Sequence, residues 1–212
     1  MKKVYIFDLD GTLVDAYYAI YRSLNFTLTK LGYKEVSYFR VKKAVGRGDE
    51  LFIKSFFPLE VFKKALSLYR KHHKKTLLNY VKLKPYAKNV LYLLKRKKKL
   101  IAIASNRPTF FSKIILRKLS LNKYIHYLLC ADRLSKLKPH PEILFKIMEK
   151  LKVSKEEVVF VGDMDIDMET AKRAGVDSIF LKGGSSSLKE VKNKFNGVKI
   201  ANSLKDVLEA YE

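Results

Sequence analysis

The chain has 212 residues, 48% of them hydrophobic, and carries a net charge of +23. This length predicts one domain, or one domain with a sizeable insertion, and this composition excludes bulk disorder. The absence of any run of about 18 apolar residues predicts no membrane span, and a single cysteine, Cys130, excludes an internal disulfide and favours a reducing, cytoplasmic location.

Apolar runs of strand length alternate with helical patterns along most of the chain. The predicted strands are Val4–Phe7, Leu100–Ala104, Tyr127–Cys130, Val158–Val161, Ser178–Leu181 and Val198–Ile200. The predicted helices between and after them are Ala87–Arg96, Thr109–Leu119, Pro141–Leu151, Asp167–Ala174 and Leu204–Tyr211. Strands that are apolar on both faces and alternate with amphipathic helices predict an α/β fold with a parallel, Rossmann-like sheet.

One long segment interrupts this alternation. Residues 15–84 contain no good strand and are rich in Tyr, Phe, Leu and Lys. Their pattern predicts the helices Ala16–Leu31, Ser37–Val45, Glu50–Phe56 and Leu59–Asn79. We therefore expect an α/β core formed by residues 1–14 and 85–212, with residues 15–84 inserted as a helical cap.

Acidic residues follow two of the predicted strands. Asp8 and Asp10 come directly after the first strand, and Asp163 and Asp167 follow the fourth. Ligands bind at the carboxyl ends of parallel strands, where these side chains would meet. Neighbouring carboxylates repel unless a cation lies between them, and oxygen-only ligands suit Mg²⁺.

Two other predicted strand ends contribute different polar groups. Ser105 and Asn106 follow the second strand, and Lys138 follows the third within the sequence Lys138-Pro139-His140-Pro141-Glu142. The prolines fix the backbone just before a helix. Lys138 is therefore a candidate for neutralising an anionic group at this edge.

These motifs, in this order, resemble those of the haloacid dehalogenase superfamily over the whole chain. The matching segments are Asp8-Leu9-Asp10-Gly11-Thr12-Leu13-Val14-Asp15, the strand ending at Ser105, Lys138 with its prolines, and Gly162-Asp163 continuing through Asp167 and Ala171 to Ala174-Gly175. The helical insertion after the first motif resembles the cap of the phosphoglycolate phosphatase and β-phosphoglucomutase branch.

The resemblance implies a role for each core residue. Asp8 would be the nucleophile that forms an aspartyl-phosphate, and Asp10 the general acid and base. Mg²⁺ would be held by the Asp8 carboxylate, the Asp10 backbone carbonyl and Asp163, with Asp167 as an outer ligand or as the partner of Lys138. Ser105 and Lys138 would bind the transferring phosphoryl group.

A second set of residues is expected to bind the phosphate or the rest of the substrate. Asn106 would assist at the phosphoryl group, and Gly11 and Thr12 lie in the first loop, which Thr12 would support by hydrogen bonding. Arg47 lies between Gly46 and Gly48 in the predicted cap, where a mobile loop would let it reach an anionic substrate or leave it exposed to solvent.

Asp10 is the residue that most restricts the type of reaction that this site could catalyse. Superfamily dehalogenases and phosphonatases lack an aspartate two places after the nucleophile, so its presence implies phosphate-ester chemistry. We expect a Mg²⁺-dependent phosphatase acting on a small phosphorylated metabolite, as a monomer or homodimer. A phosphosugar mutase and a pyrophosphatase of the same superfamily are the alternatives.

A protein whose function is nucleic-acid binding is the alternative from another class. The positive charge fits it, but the charge is spread, with 16 Lys and Arg against 5 Asp and Glu in residues 15–84 and a similar surplus elsewhere. Lys outnumbers Arg by 35 to 9, whereas base and bidentate phosphate recognition favour Arg. A nucleic-acid partner is therefore the weaker interpretation.

Three further features are interpreted as structural. His72 and His73 are expected on the surface of a cap helix, and the aromatic set Tyr17, Tyr18, Tyr21, Phe56, Phe57 and Phe62 in the cap core. The segment Gly183-Gly184-Ser185-Ser186-Ser187 lacks the ending of a P-loop and is expected to be a flexible loop.

Overall fold

The computed structural model describes residues 2–211, so Met1 and Glu212, the end residues of the predicted core, lie outside the described residues. In chain order the strands and helices are β1 Val4–Phe7, β2 Val14–Asp15, α1 Tyr17–Lys30, α2 Tyr38–Ala44, α3 Asp49–Lys54, α4 Leu59–Tyr80, β3 Lys82–Leu83, α5 Ala87–Arg96, β4 Leu100–Ser105, α6 Thr109–Lys118, β5 Tyr127–Cys130, α7 Glu142–Leu151, β6 Val158–Gly162, α8 Asp165–Ala174, β7 Asp177–Leu181, α9 Leu188–Lys194, β8 Lys199–Ala201 and α10 Asp206–Glu209.

Six of these strands form one parallel sheet in the order β5-β4-β1-β6-β7-β8. The register places Phe7 of β1 opposite Ile103 of β4 and Val161 of β6. The chain runs outward from β1 on one side and then returns to its other side, so β1 lies where the strand order reverses. A reversal of strand order leaves a crevice at the carboxyl end of the strand where it occurs, and ligands of such sheets usually bind there. We therefore expect the ligand site at the carboxyl end of β1. The predicted α/β class is confirmed.

The sheet is buried on both faces because β1 is apolar at every position. Tyr5 and Phe7 pack into one apolar cluster, and Val4 and Ile6 pack into another on the opposite face. Successive strand residues point to opposite faces, which explains this division. The packing fixes the end of β1 rigidly, and with it the residues that follow.

The four helices α1–α4, called the cap helices from here on, lie between β2 and β3 in the chain. They pack around an apolar cluster of their own that includes Leu24, Phe52 and Tyr69. Contrary to the prediction of helices alone in residues 15–84, β3 lies in this segment and pairs antiparallel with β2. The chain enters and leaves the cap helices side by side, which brings Val14 opposite Leu83. We propose the predicted division into core and cap on this basis.

Helix α9 was not among the predicted helices. Its capping box was nevertheless present, because the Ser187 side chain accepts from the backbone N–H of Glu190 while Glu190 reaches back to the Ser187 N–H. Its seven residues are too few for a clear apolar period. Within residues 2–211, no helix combines the length and the apolar composition needed to cross a membrane.

Candidate active site

Lys138 joins two buried carboxylates at the carboxyl end of the sheet. Its Nζ donates to Asp8 Oδ1 and to Asp167 Oδ1, both at 2.7 Å, and to the Ala104 carbonyl at 3.0 Å. Its side chain is 2% exposed. Burial alone would lower the pKa of Lys138, but Asp167 and Asp8 raise it above its usual value. The ammonium therefore stays charged and neutralises part of this acidic site.

Asp8 lines a cavity between the sheet and the cap helices, and only one of its two carboxylate oxygens is engaged by a described residue. Oδ1 is held by Lys138, whereas Oδ2 accepts no hydrogen bond from the residues that the structure describes, and Asp8 lines the cavity. Burial raises the pKa of Asp8 to about 7, against the opposing effect of Lys138. A carboxylate oxygen that is oriented but free is the arrangement a nucleophile needs.

Asp163 follows β6 and is fully buried. Its Oδ1 accepts from Thr12 Oγ1, and its Oδ2 accepts from the Tyr17 hydroxyl and the Ser185 backbone N–H, each at 2.9 Å. Burial and the nearby Asp8 raise the pKa of Asp163 to about 6. All three donors are neutral, so the negative charge of Asp163 is oriented by the protein without being balanced by these contacts.

Two glycines make room for the Asp163 carboxylate. A Cβ at Gly184 would lie 1.8 Å from Asp163 Oδ2, and one at Gly11, whose φ is +88°, would lie 2.3 Å from the same atom. The expectation that residues 183–187 form a flexible loop is therefore corrected. The backbone of this segment packs against Asp163, and Ser185 is buried. The glycines allow backbone to approach a carboxylate here, rather than a phosphate.

Asp167 is oriented by the start of helix α8. Its Oδ2 accepts from the backbone N–H of Met164 at 3.1 Å, which caps the helix, and its Oδ1 accepts from Lys138. Asp167 is fully buried, and burial raises its pKa despite the opposing effect of Lys138. The capping position therefore directs this carboxylate toward the site.

Three of the predicted metal ligands come together. One oxygen from each of Asp8, Asp163 and Asp167 lies within 4.8 Å of the others, and all three residues are buried. Lys138 supplies one positive charge to this group. Three buried carboxylates and one ammonium leave this group with a net negative charge when the carboxylates are ionised. Such a group suits a divalent cation that prefers oxygen ligands. The Asp10 side chain lies outside the group.

The carboxylate of Asp10 instead forms a bidentate ion pair with Arg107. Arg107 Nε donates to Asp10 Oδ2 at 2.7 Å, and Nη2 donates to Oδ1 at 2.9 Å. Nη1 donates to His73 Nε2 at 2.7 Å. Arg107 was not among the predicted site residues, although it follows Ser105 and Asn106 directly and lines the same cavity.

His73 corrects the expectation of a surface residue, because it is 1% exposed. Since Arg107 can only donate, Nε2 must accept, and Nδ1 carries the proton of a neutral imidazole. Nδ1 lies 3.0 Å from Ser23 Oγ and 3.3 Å from Thr76 Oγ1. Burial, followed by the charge of Arg107, lowers the pKa of His73 well below its usual value. Its neighbour His72 stacks on Phe26 instead.

Asn106 holds two segments together instead of pointing at a free phosphate position. Its Oδ1 accepts from the Lys138 N–H at 2.9 Å, and its Nδ2 donates to the carbonyls of Lys138, at 3.1 Å, and of Gly46, at 2.8 Å. Ser105 Oγ accepts from the Arg107 N–H at 3.2 Å and lines the cavity. Asn106 therefore fixes both Lys138 and the cap loop that contains Gly46.

The remaining predicted binding residues are not among those that line the central cavity. Gly11 N–H donates to the Val14 carbonyl at 2.7 Å, and Thr12 is committed to Asp163. Arg47 is exposed and lines two grooves beside the cavity. The central cavity is lined by Asp8, Asp10, Ile20, Val45, Gly46, Gly48, Asp49, Phe52, Tyr69, His73, Ser105, Asn106, Arg107, Pro108, Phe111, Lys138, Met164 and Ile166.

Comparison with known proteins identifies the family of this chain. The model of the haloacid dehalogenase-like hydrolase family matches residues 5–181. The chain is 34% identical to a phosphoglycolate phosphatase of Aquifex aeolicus over 82% of this chain and 81% of the relative. It is 32% identical to a putative pyrophosphatase, PpaX, of Caldanaerobacter subterraneus over 84% and 80%.

A solved structure shows the same fold. It is the crystal structure of a predicted phosphoglycolate phosphatase from Haemophilus somnus, with a TM-score of 0.91 and 24% identity over 100% of this chain and 98% of the other. The family match spans the first motif, Lys138 and the second acidic cluster. The chain therefore belongs to the haloacid dehalogenase-like hydrolases, and it is a phosphoric monoester hydrolase of that family.

Proposed function

We propose that this protein hydrolyses the phosphomonoester of a small metabolite, with Mg²⁺ as cofactor and a phosphoryl group transiently bound to Asp8. The observation that carries the proposal is Asp8 itself. One of its oxygens is held by Lys138, and the residue lines the cavity. One oxygen from each of Asp8, Asp163 and Asp167 lies within 4.8 Å of the others, which places Asp8 beside a candidate metal site. The relatives named phosphoglycolate phosphatase support it.

The group of Asp8, Asp163 and Asp167 fits Mg²⁺ because all the ligand atoms it offers are oxygens. Its negative charge is also only partly balanced by Lys138. Asp8 and Asp163 would hold the ion with the backbone carbonyl of Asp10, and Asp167 would act as an outer ligand. When bound, the ion supplies positive charge that reduces repulsion between the Asp8 carboxylate and an anionic phosphoryl group.

Asp8 Oδ2 attacks phosphorus, and the bond from phosphorus to the alcohol oxygen breaks. Asp10, which the ion pair with Arg107 holds as a carboxylate, first takes up a proton from solvent and gives it to the departing alcohol. The same carboxylate then takes a proton from the water that attacks the aspartyl-phosphate. That attack releases inorganic phosphate and restores the Asp8 carboxylate. Lys138 and Ser105 stabilise the negative charge on the phosphoryl oxygens.

The cap helices would restrict the substrate to a small leaving group. Ile20, Phe52 and Tyr69 from these helices line the same cavity as Asp8. Phosphoglycolate is the first substrate to test, because it is small and several relatives are named for it. Pyrophosphate is the second candidate, which the relationship to the putative pyrophosphatase favours.

The test is phosphate release from phosphoglycolate, pyrophosphate, β-glucose 1-phosphate and p-nitrophenyl phosphate, each with Mg²⁺ and with EDTA. We expect hydrolysis of at least one phosphomonoester with Mg²⁺ and none with EDTA. Faster cleavage of pyrophosphate would favour the second candidate, and glucose 6-phosphate without phosphate release would favour a mutase. No turnover of any substrate would contradict the proposal.

Tyr17→Phe is expected to weaken Mg²⁺ binding by about 10-fold or more, because residues that orient metal ligands typically contribute 10- to 100-fold. The substitution removes the hydroxyl that donates to Asp163 Oδ2. Isothermal titration with Mg²⁺ in the absence of substrate measures the effect. Tyr18→Phe is the matched control, because Tyr18 is the next residue of the same helix and is 43% exposed. Equal affinities for the two variants would contradict the metal assignment.

Asp163 should make the metal-free protein less stable as pH rises. The folded-state pKa of Asp163 is raised to about 6. Its stabilising contribution is therefore complete below its unfolded pKa, near pH 4, and is lost as pH rises through about 6. The buried His73 acts in the opposite direction, because its lowered pKa costs stability at acid pH.

The difference between wild type and Asp163→Asn isolates the carboxyl group, because His73 is common to both. Urea unfolding without metal should show wild type losing stability relative to Asp163→Asn as pH rises from about 4 to about 7. Excess Mg²⁺ should offset this loss by binding the ionised carboxylate. A wild type that gains stability relative to the variant over that range would contradict the raised pKa.

A further inference from the structure

The carboxylate of Asp10 is held in a fixed plane by Arg107. Two parallel hydrogen bonds, at 2.7 and 2.9 Å, engage one lone pair on each of its oxygens. The side chain of Arg107 is 7% exposed and that of Asp10 is 12% exposed, so water competes little for these two hydrogen bonds. A carboxylate has about four lone-pair positions, two on each oxygen. The two hydrogen bonds from Arg107 therefore leave one position free on each oxygen for a proton that is being transferred. Arg107 thus orients Asp10 and leaves each carboxylate oxygen one position at which the proton to be transferred can bind.

Arg107 is in turn held by a residue from the cap helices. His73 Nε2, on helix α4, accepts from Arg107 Nη1 at 2.7 Å. The ring is fixed from behind by Ser23 Oγ, on helix α1, and by Thr76 Oγ1. Tyr69 stacks on one side of the imidazole, with ring centroids 5.0 Å apart. Arg107 itself lies in the loop after β4, so this contact joins the cap helices to the sheet.

From these contacts we infer that Arg107 and His73 are positioning residues for the proton transfer at Asp10. His73 fixes the guanidinium of Arg107, and Arg107 aims the Asp10 carboxylate at the leaving-group oxygen. The side chain that completes this chain of contacts comes from the cap helices, so their docking on the sheet and the readiness of Asp10 are coupled. This inference rests on the proposed function of Asp8 and Asp10.

The inference makes a prediction that a purely structural role does not make. Protonation of the leaving group matters most when the alcohol is weakly acidic, and little when it leaves readily as an anion. Phenyl phosphate and p-nitrophenyl phosphate have similar shapes, but nitrophenol is the far stronger acid. The parameter kcat/KM reports the steps up to departure of the alcohol, so it isolates this proton transfer from the later attack of water.

Arg107→Met and His73→Leu are the test variants. For Arg107→Met we expect kcat/KM to fall by about 100-fold or more with phenyl phosphate and phosphoglycolate, and by less than about 10-fold with p-nitrophenyl phosphate. His73→Leu should show the same selectivity with a smaller loss. His73→Gln, whose amide oxygen can accept from Arg107, should recover most of the activity. Arg107→Lys keeps the charge but loses the fork, so it should recover little.

His72→Leu is the matched control, because His72 is adjacent on α4 and stacks on Phe26 away from the Asp10 ion pair. Its kcat/KM should match wild type with both aryl phosphates. In an Asp10→Asn background, Arg107→Met should cause little further loss, since the group it positions is already absent. Circular dichroism and thermal melts identify variants that do not fold, and Arg107→Lys then serves in place of Arg107→Met.

Equal losses with the two aryl phosphates would overturn the inference, because positioning of the proton donor would not explain them. Losses that add fully to those of Asp10→Asn would do the same. A rise in kcat/KM would show that the ion pair restrains Asp10 instead of preparing it. The proposed function fails separately, if wild type itself releases no phosphate from any of these esters.

Discussion

Asp8→Asn is expected to lower phosphatase activity by about 10⁴-fold or more, as is typical when a covalent nucleophile is removed. An amide oxygen is a far weaker nucleophile than a carboxylate, while its size and shape are nearly the same. The amide oxygen can still accept the hydrogen bond from Lys138 Nζ that Asp8 Oδ1 now accepts at 2.7 Å. The variant should therefore fold normally, and phosphate release from p-nitrophenyl phosphate with Mg²⁺ measures the loss.

Thermal unfolding of the same preparation separates chemistry from folding. An Asp8→Asn protein that melts near wild type and lacks activity supports the assignment of the nucleophile. Asp165→Asn is the control, because Asp165 lies between Asp163 and Asp167 in the second acidic cluster but pairs with Lys194 near the surface. Activity retained by Asp8→Asn at the wild-type level would show that another group attacks phosphorus.

Lys138→Met is expected to cause the largest loss of stability together with a large loss of activity. The substitution leaves Asp8 and Asp167 buried without the ammonium that contacts both at 2.7 Å. Removing one partner of a buried ion pair typically costs about 3–5 kcal/mol. Urea unfolding at pH 7.5 without metal measures the free energy of unfolding, and Lys136→Met, an exposed lysine of the same segment, is the control.

The deficit of Lys138→Met should shrink at lower pH. Burial already raises the pKa of Asp8 to about 7 and raises that of Asp167, and both would rise further without Lys138. Protons then replace the missing positive charge, so the variant regains stability as pH falls toward 5. A deficit equal to that of Lys136→Met at pH 7.5 would contradict the role of Lys138 as the buried counter-ion.

Local patterns were sufficient to predict the sheet and the principal acidic residues. Runs such as Val4–Phe7 and Val158–Val161 are apolar at every position, which few structures other than a buried strand satisfy. Parallel pairing then places the residues after these strands at one edge, so the meeting of Asp8 with Asp163 followed from topology. Lys138 was identifiable because prolines and a helix start fix its segment.

Contacts between the cap helices and the sheet were not predictable in the same way. Tyr17 and His73 lie in ordinary amphipathic helices. The spacing of apolar residues in these helices does not show that Tyr17 contacts Asp163 or that His73 contacts Arg107. Arg107 pairs with a residue 97 positions away in the chain. Such pairs depend on how the cap helices dock, which is set by tertiary packing and not by local pattern. The bend of loop 183–187 around Asp163 has the same origin.

The central claim, a phosphoryl group carried on Asp8, is tested most directly by trapping it. Asp10→Asn should form the intermediate from p-nitrophenyl phosphate, whose leaving group needs little protonation, and hydrolyse it slowly because the general base is missing. Acid quenching during turnover, followed by peptide mass analysis, should show one added phosphoryl group on the peptide that contains Asp8, removable by hydroxylamine. A protein that releases phosphate under these conditions while this peptide stays unmodified would contradict the account.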